Sequence, residues 1–132
     1  MTDKLSIALA QLNPTVGDVD GNADLVREAR KQAAAQGADL VVASELVISG
    51  YPPEDLVIRP SFQEACTAAV EKLAAETDDG GPGVLIGSLW VDNDGKVYNA
   101  ALLLDGGKIA AVRLKHDLPN YGVFDEKRVF AA

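Results

Sequence analysis

Cysteine is almost missing from this chain: Cys66 is the only one among 132 residues. A single cysteine cannot close an internal disulfide, so a reducing compartment is expected, with the cytoplasm as the default location. Histidine is as scarce, with His116 alone. The two lie far apart without ligand spacing, which gives no reason to expect a metal. Aromatic residues make up only 5%, so any core must be assembled from Val, Leu, Ile and Ala. No apolar run approaches the length of a membrane span. Positive charge is also short, with 12 Lys and Arg against 20 Asp and Glu and a net charge of −8. Phosphate backbones and anionic lipid surfaces both call for clustered cations, so neither nucleic acid nor a membrane is expected as a partner. Met1 to Lys4 lead into a strand pattern rather than a signal peptide.

What is present is apolar enough to fold. Hydrophobic residues amount to 48%, which excludes a disordered chain. The length suits one domain that hides about two thirds of its unfolded surface. Leu5 to Leu12 (LSIALAQL) reads as a buried strand. Asn13-Pro14 and Gly17-Asp18 mark a loop. From about Asn22 to Gln36 the pattern turns helical through Ala23, Val26, Ala29 and Ala33, and Gly37 stands where a glycine cap belongs. Leu40 to Ala43 (LVVA) is a short strand of the kind covered on both faces. Ser61 and Glu64 after Pro60 read as a capping box, opening a helix whose apolar face runs through Phe62, Ala65, Cys66, Ala69, Val70 and Leu73. Beyond the turn-rich stretch DDGGPG come three strands, Val84 to Val91, Val97 to Leu104 and Ile109 to Leu114. Asp92-Asn93-Asp94-Gly95 and Asp105-Gly106-Gly107 join them as hairpins. This order specifies an α/β layered domain. A meander of this kind normally has further elements beside it, so the chain is expected to be the first part of a longer domain.

Few positions can carry chemistry. Glu45 directly follows the strand LVVAS, at the carboxyl end of which α/β sheets gather ligands. Apolar walls there would raise its pKa, as suits a general base; the plainer alternative is a capping or surface glutamate at a strand exit. Lys115 ends the last strand and could stabilise an oxyanion if a carboxylate held it, or could be a solvated strand-end lysine. Tyr121, Phe124 and Glu126 could line a polar pocket with aromatic walls, or simply pack their own loop. His116 has no serine–acid arrangement to serve and reads as a loop residue. Cys66 lies on an apolar helix face rather than in an electropositive, exposed setting, and is expected to be core. Gly80-Gly81-Pro82-Gly83 lacks the Gly-Lys-Ser/Thr ending of a phosphate loop.

Together these pieces resemble the nitrilase superfamily of Glu–Lys–Cys amide hydrolases. GADLVVASEL is similar to the stretch that carries the family's glutamate, here Glu45, and Lys115 matches the triad lysine. Many members have proline just before that glutamate, where this chain has Ser44. SGYPPEDL and LPNYGVFDEKRVF are more specific and resemble the glutaminase domains of glutamine-dependent NAD synthetases. The resemblance implies a four-layer αββα sandwich, of which residues 1–132 would be the N-terminal portion, incomplete. It implies that Glu45 deprotonates a thiol and that Lys115 holds the oxyanion. Tyr121 and Glu126 would help bind glutamine, Glu126 also supporting the triad. The nucleophilic cysteine would lie past Ala132, and this chain alone would be inactive. In the full-length enzyme, expected to be a homo-oligomer, ammonia would reach a synthetase domain absent from this chain. There ATP and Mg would activate nicotinic acid adenine dinucleotide for amidation to NAD. Two alternatives stand beside this one: another nitrilase-branch amidase or carbamoylase, and a catalytically silent scaffold of the same fold.

Overall fold

A computed structural model describes residues 3–122 and 124–132. Five strands form one sheet in chain order: β1 (Ile7–Leu9), β2 (Leu40–Val42), β3 (Gly83–Val91), β4 (Val97–Asp105) and β5 (Lys108–Leu114). β1, β2 and β3 are parallel, and β3, β4 and β5 form an antiparallel meander. Two helices, α1 (Val19–Ala35) and α2 (Pro60–Glu76), make the parallel crossovers. Both crossovers step the same way along the sheet, so their common right-handedness places both helices on one face. They pack on each other, with α2 also against β3, β4 and β5. The chain is thus α/β, one helix layer on one sheet, which is two of the four layers of an αββα sandwich.

Strand alternation sorts the side chains. Val84, Ile86, Leu102 and Leu104 face the helices and are buried with Val26, Cys66, Val70 and Leu73, and Val41, also buried, lies beside Val84 on the same face. The opposite face carries the row Leu9, Val42, Leu85 and Leu103, which register brings side by side. None of that row is fully buried, and Leu5, Ile7 and Leu9 are exposed. The expectation of a long buried strand at Leu5 to Leu12 is therefore corrected: β1 is a three-residue edge strand with one open face. β2 is likewise helix-covered on one side only. The physical reason is the same, since a run of apolar residues cannot report which of its faces receives a layer.

Helix ends differ from expectation in two places. α1 begins at Val19, with Asp18 as its N-cap accepting from the Gly21 N–H, one turn earlier than the apolar period suggests. Gly37 does close it, at φ +78°. The Ser61–Glu64 capping box does not form. Arg59 is the N-cap and Pro60 the first helical residue, so Ser61 already lies inside the first turn. Proline's fixed φ starts the helix without a side-chain acceptor.

Candidate active site

The sheet topology explains how residues far apart in sequence meet. β5 runs parallel to β2, because two antiparallel pairings restore the direction. Glu45 beyond β2 and Lys115 beyond β5 therefore leave the sheet at the same edge. Two strands lie between them, a gap of roughly 14 Å at ordinary strand spacing. The chain after β2 closes that gap by crossing over β3. Ala43 first extends the ladder, its N–H donating to the Leu85 carbonyl at 2.9 Å. Ser44 to Leu46 then turn across Gly87. A β-carbon on Gly87 would sit 2.3 Å from the Leu46 nitrogen and 2.8 Å from the Glu45 Cα. Only glycine admits so close a backbone approach. Leu46 holds a left-handed φ of +49°, uncommon for a leucine, in the turn that presents Glu45.

Four side chains converge on the face away from the helices. The Lys115 ammonium donates to Glu45 Oε1 at 2.7 Å and to Glu126 Oε2 at 3.0 Å. The Asn99 amide donates to Glu45 Oε1 at 2.6 Å and reaches Glu126 Oε1 at 3.4 Å. Asn99 also holds Lys115 through the backbone, its carbonyl accepting the Lys115 N–H at 2.7 Å. A cleft of about 440 Å³ opens beside the cluster, bounded by Glu45, Lys115, Leu85, Gly87, Ala101 and Arg113.

Charge and burial are distributed unevenly. The Glu126 side chain is 5% exposed, whereas those of Lys115 and Glu45 are 30% and 47% exposed. The pair nearest the cleft is open on one side, and the buried charge sits beneath it in Glu126. Burial is the largest single influence on Glu45 and pushes its pKa up. Hydrogen bonds from Lys115 and Asn99 outweigh it, and the carboxyl ends below its ordinary value. The expectation of a raised Glu45 pKa is thus reversed, because the turn aims the carboxylate at two donors rather than at apolar walls. Burial alone would lower Lys115, but Glu45 and Glu126 reverse that and hold it cationic.

The other candidates divide. Glu126 joins the cluster from a 3-10 turn at Glu126–Arg128. Tyr121 does not: it is 72% exposed, its ring edge-on to Phe124 at 5.7 Å. Cys66 is fully buried on the inner face of α2, and burial pushes its thiol up to about 12, so it stays protonated and inert. Asn99 and Tyr51 escape sequence reasoning. Asn99 sits mid-pattern in a strand, and nothing local marks it. Tyr51 lines a cavity together with Glu126, and burial, then the charges of Glu126 and Glu45, raise its phenol. Arg128 ties the two loops together, pairing with Glu54 at 3.0 Å, with Asp55, and with Asp125 at 2.8 Å. Among the described residues no group of three or more His, Cys, Asp or Glu is placed to hold a metal ion. No described helix is long and apolar enough to cross a membrane.

A glutamate and a lysine presented by strand ends around a buried second glutamate can be compared with known proteins. The profile of the carbon-nitrogen hydrolase family matches residues 6–132. The chain belongs to the carbon-nitrogen hydrolase family. Among curated members of this family's relatives, the glutamine-dependent NAD(+) synthetase of Thermotoga maritima is 46% identical over 127 residues, 96% of this chain but 22% of the relative. The solved glutamine-dependent NAD+ synthetase of Acinetobacter baumannii superposes with a TM-score of 0.90 at 39% identity, over 96% of this chain and 24% of that one. An amidase from Nesterenkonia sp. superposes at 0.79 with 27% identity, over 96% of this chain and 47% of that one. This carbon-nitrogen hydrolase chain therefore spans under a quarter of the length of the synthetases it matches, and the sheet and helices described above are shared with them.

Proposed function

We propose that this chain supplies the base and the oxyanion-holding lysine of a glutamine amidohydrolase centre, the ammonia-generating part of a glutamine-dependent NAD synthetase. The observation that carries the reading is the Lys115 ammonium, fixed between Glu45 and Glu126 at the mouth of a cleft. The 46% identity to a glutamine-dependent NAD(+) synthetase supports the choice of substrate.

In this reading the nucleophile is a thiol outside these residues, since Cys66 is sealed in the core. Variants of the Nesterenkonia amidase are described with adducts at an active-site cysteine. Glu45 takes the thiol proton, and the thiolate attacks the glutamine side-chain amide carbon. The C–N bond breaks with the proton returned to nitrogen, and ammonia leaves. Water then attacks the thioester, releasing glutamate and restoring the thiol. Lys115 faces the developing oxyanion and is kept cationic by the two carboxylates. Glu126 acts through Lys115 by holding it in place, and Tyr121, outside the cluster and 72% exposed, is assigned to the bound amino acid only through the loop it shares with Glu126. The ammonia amidates nicotinic acid adenine dinucleotide in the synthetase part of the protein, to which ATP and Mg are assigned.

The test is ammonia release from glutamine. In a protein carrying the whole family domain, Lys115→Ala is expected to lower kcat about 100- to 1,000-fold, the scale of a lost oxyanion donor. Near-normal turnover would remove Lys115 from this role. The 132-residue chain by itself is expected to hydrolyse glutamine no faster than its Glu45→Ala variant. Glu45-dependent release from it would mean that the nucleophile has been misplaced.

A further inference from the structure

Two donors meet on one oxygen of Glu45. Oε1 receives the Asn99 amide at 2.6 Å and the Lys115 ammonium at 2.7 Å. Lys115 has a second duty at Glu126, and it stands where an oxyanion would draw on it. Asn99 is neutral and carries no charge for an oxyanion to draw on. It is 3% exposed in β4, its backbone carbonyl is taken by the Lys115 N–H, and its other amide hydrogen leans towards Glu126 at 3.4 Å. A neutral amide locked in a sheet cannot swing away when charge moves in the cleft.

We propose that Asn99 is a positioning residue that anchors Oε1 of Glu45 and so leaves Oε2 as the oxygen that accepts the proton. The proposal rests on the reading of Glu45 as the base. A carboxylate has two chemically equal oxygens, and free rotation would present either, or neither, to the nucleophile. Fixing one oxygen from a rigid strand fixes the direction of the other. Asn99 thereby links the base and the lysine, holding the first by its side chain and the second by its backbone. The charged or titratable groups facing Glu45 are Lys115, Glu126, Tyr51 and Arg113. None of them duplicates the Asn99 amide: Lys115 is already on Oε1, Glu126 acts on Glu45 more weakly than Lys115 and Asn99 do, and Tyr51 and Arg113 make no hydrogen bond to Glu45 among the described residues.

The experiment is a carboxyl-carbon NMR titration of Glu45 in the 132-residue chain labelled at glutamate Cδ, with Glu45→Gln to assign the signal. Asn99→Ser removes the donor with little added bulk, and Asn99→Asp keeps the shape while replacing donor by acceptor. The Glu45 midpoint is expected to rise by about one unit in Asn99→Ser, the scale of a hydrogen bond to a charged group. It should rise further in Asn99→Asp. A midpoint unchanged in both variants, with only the melting temperature lowered, would reduce Asn99 to a structural residue and overturn the proposal. In a protein with the whole domain, Asn99→Ser should lower kcat about tenfold with KM unchanged and move the acid limb of the pH profile upward. If no Glu45-dependent glutamine hydrolysis occurs but the NMR shift is seen, the glutaminase reading falls and the anchoring stands. If hydrolysis depends on Glu45 while Asn99→Ser alters neither kcat nor the midpoint, the anchoring falls and the glutaminase reading stands.

Discussion

Glu126 is the residue most dependent on its neighbours. Its carboxylate is held out of water and meets the Lys115 ammonium through both oxygens, at 3.2 and 3.0 Å. Removing a partner from a buried charge costs more than the pair itself contributes, because the remaining group is left desolvated. Lys115→Met is therefore expected to destabilise the fold by about 1–3 kcal/mol in chemical denaturation, the range for a buried group left unsatisfied. Adding Glu126→Gln should recover part of that loss; an equal or greater loss in the double variant would refute the buried-charge account. The pH dependence has a definite sign. Glu45 titrates below its ordinary value of 4.5 in the fold, so its contribution to stability is complete above that value. It is lost as pH falls through the lower, native-state pKa, and Lys115→Met should flatten this acid-side slope.

Between β2 and Glu45, a turn rather than a strand makes the site. The segment Ser44 to Leu46 exists where it does because β3 offers a glycine beneath it. Gly87→Ala would drive a methyl group into three backbone atoms, of Leu46, Glu45 and Ser44, with no flexible side chain able to yield. Overpacking of this kind costs about 1–3 kcal/mol. We expect Gly87→Ala to lower the unfolding midpoint by that amount and to shift the amide resonances of Ser44 to Leu46. Unchanged resonances would show that the crossing has slack. Asn22 secures the stretch that follows, at Ile48, from the helix side. Its amide accepts from Thr15 N–H and donates to the carbonyls of Thr15 and Ile48, all within 2.9 Å, although it reads in sequence as the first residue of a helix.

For the molecule as a whole, the asymmetry of the sheet matters most. One face is sealed by α1 and α2, while the other carries Leu9, Val42, Leu85 and Leu103 towards solvent and ends in the short edge strand β1. Open apolar faces and unpaired edges invite association. Sedimentation of the 132-residue chain is expected to show mass rising with concentration, and Leu9→Lys should suppress it. A monomer of constant mass across that range would mean the face is tolerated in water.

Much of this was written in the order of the residues. Periodicity marks both helices, hairpin chemistry marks the β3–β4–β5 meander, and the apolar run before Glu45 marks a strand end where a ligand group belongs. Each is local, and local pattern is what a linear chain can express. The meeting of Glu45, Asn99, Lys115 and Glu126 is not local, for 70 residues separate Glu45 from Lys115. It follows from strand direction and from a turn that crosses a glycine, both properties of the assembled sheet. Likewise the charge state of Glu45 turned on which atoms its turn faced. Desolvation argued one way and two donors argued the other, and only their positions in space decided the outcome.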